Sequence, residues 1–195
     1  MGEKPNPTKM GAGIGDSVAK ITAVFDWKLA FQARGTLVND FAALLSDATV
    51  FQLMASPQRD QDGIRLLATA LMLNGVAMEI AGSSRPASGS EHLISHALDA
   101  IGSRPRLHGL QVGLATYLVS QLQRHRTENI AALFDATSFW EAIRQDPFCK
   151  ADWVAAFSAA PAIKPDYYTI LSERNQTDEL LGIIESDPRL EGLFI

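Results

Sequence analysis

The sequence predicts an all-α protein, a multi-helix bundle. Three observations predict it. Apolar residues recur at spacings of three and four along almost the whole chain, and strand-like alternation is nearly absent. No succession of strand, turn and helix suggests a parallel sheet. With 195 residues, 47% of them hydrophobic, the chain is long enough to build one cored domain.

Each element follows from local signals. Residues 1–10, MGEKPNPTKM, read as a polar leader broken by proline, without the apolar core of a secretory signal. Residues 12–33, AGIGDSVAKITAVFDWKLAFQA, align Ile14, Val18, Ile21, Phe25 and Leu29 on one helical face, with Gly35 as the stop. Helices are expected over Thr36 to Ala55 and Asp62 to Ala81. The second of these is so apolar (IRLLATALMLNGVAMEIAG) that burial on most sides is expected. A loop at 82–90 leads into a helix from Glu91 to Ile101, and HGLQVGLATYLVSQLQRH forms another apolar helix from His108. Shorter helices are expected over Asn129 to Ala136, Phe139 to Gln145, Ala151 to Ala159 and Thr177 to Glu185. Residues 11–195 therefore read as one helical domain, with no internal repeat and only a helix break at the Pro-Asp turn near 165.

Charge and cysteine content exclude several function classes. The formal net charge is −5, and no run of lysine and arginine is long enough to track a phosphate backbone, which argues against nucleic acid. A solitary cysteine, Cys149, rules out an internal disulfide and a cysteine-rich zinc cluster and fits a reducing compartment. No window is expected to reach the apolar length of a membrane span. A soluble, cytoplasmic protein is expected.

The chemistry concentrates in GSSRPASGSEHLISHALD, residues 82–99, and in LHGLQVG beyond it. His92 and His96 are four apart and face the same way on a helix. Such a pair is ordinarily a hydrogen-bonded surface or core feature, but His108, sixteen residues after His92, opens the next helix across a short hairpin. Asp16, expected in the first turn of the first helix, adds a carboxylate. Two imidazoles and one carboxylate form a three-ligand set that leaves zinc an open position for water or substrate. The plainer reading of Asp16 is a partner for the helix macrodipole. GAGIGD, residues 11–16, imitates a dinucleotide-binding fingerprint. It lacks the preceding strand and carries Asp16 where the last glycine belongs, and is set aside.

These segments together resemble the glycerol-1-phosphate dehydrogenases, whose superfamily also holds dehydroquinate synthase, glycerol dehydrogenase and the iron-dependent alcohol dehydrogenases. GSSRPASGSEHLISHALD and LHGLQVG are similar to the metal-site region of that family. AGIGDSVAKITAVFDWKLA resembles the first helix of its second domain, and IKPDYYTILSE its C-terminal signature. The resemblance implies zinc, or nickel or iron, held by Asp16, His92 and His108, with His96 beside the metal in substrate binding or proton movement. It implies a phosphate contact for Arg85, which suits a guanidinium fork, with hydroxyl donors from Ser84, Ser88 and Ser90. Arg85 can equally be a capping or surface arginine, and Ser88 or Ser90 a helix cap at Glu91. Lys20, four residues after Asp16, shares its helix face and is either a catalytic group in the same cleft or an exposed lysine.

The implied reaction reduces dihydroxyacetone phosphate to sn-glycerol 1-phosphate with NADH or NADPH. In such enzymes a preceding α/β domain holds the nicotinamide, and this chain begins roughly where the second domain would begin. It is therefore expected to lack the nucleotide-binding domain and to be inactive in hydride transfer without that domain or a partner chain. An apolar face left open along the cleft is expected to associate with such a partner or with a second copy. The competing expectation is a non-enzymatic module that binds metal and phosphate or serves as a scaffold.

Overall fold

A computed structural model describes residues 6–195; the first five residues of the expected leader lie outside the described residues. The helices are α1 (Pro7–Val18), α2 (Lys20–Arg34), α3 (Asp40–Ala55), α4 (Gln61–Ala81), α5 (Ser90–Ile101), α6 (His108–Gln123), α7 (Thr127–Thr137), α8 (Phe139–Arg144), α9 (Lys150–Ile163) and α10 (Thr177–Ser186). Single 3-10 turns lie at Ile170–Ser172 and Pro188–Leu190. Among the described residues the only β pairing is one isolated bridge between Phe148 and Phe194, so the fold is all-α.

Helix α6 is the centre of the bundle. It is buried from Gly109 through Ser120, with α1 and α5 packed along it, α9 packed against α5, and α8 against α1. The main core runs from Ile14 and Val18 through Leu93, Ile94, Leu114 and Leu118 to Phe134, Phe139 and Trp153. A smaller core of Val24, Trp27, Ala42, Ala43 and Ala77 joins α2 to the α3–α4 hairpin.

Four boundaries differ from the sequence expectation. The first helix starts at Pro7 rather than residue 12, because Asn6 caps it, its side chain accepting the Thr8 and Lys9 N–H groups. Residues 7–10 of the expected leader are thus helical. The run over 12–33 is interrupted at Ala19, where the Lys20 ammonium takes the Asp16 carbonyl at 2.5 Å and the Thr22 hydroxyl takes the Ala19 carbonyl at 3.0 Å. These side-chain donors compete with the helical ladder. The next helix begins at Asp40 instead of Thr36, behind an Asn39 cap. Helix α9 continues to Ile163 with Pro161 inside its last turn.

Helix α4 departs most from expectation. Its inner side is narrow (Gly63, Leu67, Ala70, Asn74 and Ala77), while Ile64, Met72, Val76 and Ile80 are exposed. Across the hairpin, Phe41, Leu44 and Phe51 of α3 are exposed as well. Contrary to the sequence reading, α4 also contains a window long and apolar enough to cross a membrane, with a mean hydropathy of 1.5. Within the bundle it packs against α3 and α1, and its Asn74 side chain accepts the Thr49 hydroxyl at 2.9 Å.

Candidate metal centre

Three glycines set the geometry of the site. Helices α1 and α6 cross at Gly15, Gly109 and Gly113 with no space for a β-carbon. One at Gly109 would collide with the Ala12 carbonyl, one at Gly15 with the Gly109 carbonyl, and one at Gly113 would lie 2.7 Å from the Gly15 Cα. Gly15 of GAGIGD and both glycines of HGLQVG thus serve helix packing. Their close approach brings Asp16 of α1 to His108, the first residue of α6. Because α1 starts at Pro7, Asp16 lies in its last turn. The first-turn macrodipole role therefore does not apply, since that field favours anions only at a helix start.

The structure brings together the three expected ligands. Asp16 Oδ1 lies 3.4 Å from His92 Nε2 and 3.9 Å from His108 Nε2, and the three donor atoms lie within 4.8 Å of one another. Donors about 2.0–2.1 Å from a tetrahedral zinc are about 3.3 Å apart, so these side chains need only small shifts to share one ion. His96 stands beside them, its ring centroid 6.2 Å from that of His92 and 5.9 Å from that of His108.

The outer ring nitrogens explain why both Nε2 atoms are free to face Asp16. His92 Nδ1 is 2.9 Å from Glu91 Oε1, which requires an Nδ1–H donor opposite a carboxylate. His108 Nδ1 is 3.0 Å from Ser95 Oγ, whose hydroxyl donates to Gln111 Oε1 at 3.0 Å, so Ser95 accepts from His108. With its Nδ1–H so engaged, each histidine in its neutral form keeps the Nε2 lone pair for an ion shared with Asp16. That donor set suits zinc, and nickel or iron would accept the same atoms.

Charge is managed by burial and pairing. Burial would raise the Asp16 carboxyl, but the hydrogen bond from His92 and the Lys20 charge hold it well below the usual carboxylate range. Burial disfavours a charged His92, yet its bonds to Asp16 and Glu91 prevail and raise its pKa. His96 and His108 move the other way, lowered first by burial and then by the neighbouring His92. Lys20 is 2% exposed; its ammonium donates to the Asp16 carbonyl, lies 3.7 Å from Asp16 Oδ2, and is pushed down by burial. It is not the exposed lysine of the plainer reading, and it reaches the site from beneath Asp16.

The loop before α5 is held from the C-terminal segment. Arg85 is buried; its Nη1 donates to the Tyr168 carbonyl at 2.6 Å, and its guanidinium carbon lies 3.6 Å from the Tyr167 ring centroid. The Tyr167 hydroxyl donates to the Ser88 carbonyl at 2.7 Å and lies 3.3 Å from Ser84 Oγ. Neither Ser88 nor Ser90 caps α5, whose cap residue is Gly89 without a side-chain bond. The Ser90 N–H instead donates to Asp26 Oδ2 of α2 at 2.8 Å. Asp26 also accepts the Ile170 N–H and the Gln123 amide, joining α2, α5, α6 and the turn at Ile170.

Sequence reasoning passed over Asp26, Glu91, Ser95 and Gln111. Only Glu91 carried a signal, its place immediately before His92, and an acid in a first helical turn is ordinarily read as a dipole partner.

No family model matches the chain. It is 39% identical over 178 residues, 87% of its length, to the glycerol-1-phosphate dehydrogenase [NAD(P)+] of Pyrococcus furiosus. With the enzymes of the same name from Staphylothermus marinus and Saccharolobus solfataricus it shares 40% identity over 183 residues and 39% over 172, covering 90% and 86% of the chain. The chain is a homologue of the glycerol-1-phosphate dehydrogenases. It spans about half the length of the curated relatives it matches, 50%, 51% and 49% of these three.

Proposed function

We propose that this chain supplies the metal- and substrate-binding half of an NAD(P)-dependent glycerol-1-phosphate dehydrogenase, which interconverts dihydroxyacetone phosphate and sn-glycerol 1-phosphate. The observation that carries this reading is the convergence of Asp16 Oδ1, His92 Nε2 and His108 Nε2 in a homologue of those enzymes.

Asp16, His92 and His108 hold zinc, or nickel or iron, which when bound supplies Lewis acidity at the ketone oxygen. The protein side of the chemistry lies in the neighbouring groups. His96, partly buried and with its pKa lowered, moves a proton at the product oxygen. Arg85 offers the phosphate those guanidinium N–H groups that the Tyr168 carbonyl does not use, with Ser84 and Ser88 as hydroxyl donors. Lys20 acts through the Asp16 carboxylate it lies against. The described residues contain no strand and no glycine-rich turn between strand and helix, so NAD or NADP binds to a further domain or a partner subunit. The exposed apolar side chains of α3 and α4 suit association with that partner or a second copy, in the cytoplasm.

The test measures metal content in the purified chain. The chain is then mixed with the nucleotide-binding half of a relative, and NADH or NADPH oxidation is followed with dihydroxyacetone phosphate. Bound metal with rescued turnover is the expected result. Metal without turnover would instead favour a non-enzymatic module that binds metal and phosphate, and no metal at neutral pH would remove both readings.

A further inference from the structure

We infer that Glu91 is a positioning residue for the metal centre: its buried carboxylate fixes which nitrogen of His92 faces the ion and supplies negative charge behind that ligand. The inference rests on the metal-centre reading above.

Glu91 is wholly buried, yet each carboxylate oxygen has assigned partners. Oε1 accepts the Gly89 N–H at 2.6 Å and faces His92 Nδ1 at 2.9 Å, and Oε2 accepts the Thr22 hydroxyl at 2.7 Å. An isolated buried carboxylate costs several kcal/mol, so a chain that needed only to start a helix here would not place one inside its core. Its bond to the Gly89 N–H is a contact at the start of α5, but Asp26 already meets the Ser90 N–H there, and the other partners of Glu91, Thr22 and the His92 ring, are side chains that a helix start does not require. Its one contact with the candidate ligands is the His92 ring. There, a carboxylate partner holds the imidazole in the Nδ1–H form and raises the basicity of Nε2.

His108 offers a comparison within the same site. Its outer nitrogen is held by a neutral hydroxyl, Ser95, backed by the Gln111 amide. The two histidines are thus positioned by unlike groups, and only His92 is backed by formal negative charge. Local geometry contributes to this: a β-carbon at Gly89 would lie 3.1 Å from Glu91 Oε2 and 2.8 Å from Asp26 Oδ2. The glycine between these carboxylates lets both reach the start of α5.

The decisive variant is Glu91→Gln, which retains the shape and an acceptor for the Gly89 N–H while removing the charge. Cobalt(II) titration of the metal-free chain, read by visible absorption, is expected to show binding weakened by about 10- to 100-fold. Helical circular dichroism and the metal-free unfolding midpoint establish that the variant is folded. A second measurement needs no variant: 15N shifts of the histidines in the zinc-loaded wild type are expected to show His92 protonated at Nδ1 and coordinated through Nε2. Unchanged cobalt affinity in folded Glu91→Gln, or coordination of His92 through Nδ1, overturns the role of Glu91. A wild-type chain that binds neither metal overturns the metal-centre reading itself, which keeps the two failures apart.

Discussion

Arg85 stands over the ring of Tyr167, its guanidinium carbon 3.6 Å from the ring centroid and its Nη1 bonded to the neighbouring Tyr168 carbonyl. GSSRPASGSEH and IKPDYYTILSE, separated by about eighty residues, therefore meet as one unit. The tyrosine pair holds the loop that leads into α5, and a desolvated guanidinium on an aromatic face is worth more than an exposed one. Whatever Arg85 does for a ligand, it does from a fixed position.

Arg85→Ala is accordingly expected to have two effects. Loss of the stacking and of the carbonyl bond should lower stability by about 2 kcal/mol or more, read as a shift in the urea midpoint. Affinity for inorganic phosphate or dihydroxyacetone phosphate should fall in calorimetry while cobalt affinity holds. Phosphate affinity equal to that of wild type would leave Arg85 only its structural contacts.

The helix crossing makes a sharper structural prediction. Gly109→Ala should cost about 3 kcal/mol or more, because its β-carbon meets the Ala12 carbonyl, which cannot swing aside as a side-chain tip can. It should also weaken metal binding by moving His108 away from Asp16. Gly75 in α4 is the contrast: a β-carbon there meets nothing within 4 Å, so Gly75→Ala should stabilise by about 0.5–1 kcal/mol. Thermal unfolding of the two variants beside wild type tests both signs.

The contrast between these glycines also shows what a sequence reader can and cannot see. Helical periodicity predicts the bundle, and Asp16, His92, His96 and His108 stand out because their side chains carry the chemistry directly. Glu91 and Asp26 do not stand out, since their importance lies in what they touch across α2, α5 and the turn at Ile170. Periodicity also misjudges α4. An apolar helix reads the same whether neighbours cover all its sides or only one, and here Met72 and Val76 are left exposed while α6 takes the centre.

Ligand and neighbour are separable by substitution. His92→Ala and Asp16→Ala should each cut zinc affinity by more than the roughly 10- to 100-fold that loss of an outer partner costs. His96→Ala should leave zinc affinity close to wild type, since Asp16, His92 and His108 form the cluster without it. Competition against a chromogenic chelator ranks the three, and a His96 variant as weak as His92→Ala would move His96 into the ligand set.

A pH prediction follows from Asp26, whose carboxyl is pushed up to about 7 from an ordinary 3.8 by burial and by the neighbouring Glu91 charge. Between those two values the folded chain holds a proton that the unfolded chain has released, so stability should fall as pH rises through this window and level off above it. The histidines contribute in both directions, His92 being raised and His96 and His108 lowered. The difference between wild type and Asp26→Asn therefore isolates the carboxyl. Both oxygens of the Asp26 carboxyl face N–H donors, and an amide offers only one acceptor oxygen to them, so the variant should be less stable throughout. Its urea midpoints in chelator, measured from pH 5 to pH 8, should nevertheless decline less steeply than those of the wild type. Parallel pH profiles for the two proteins would show that Asp26 takes up no proton in the native state.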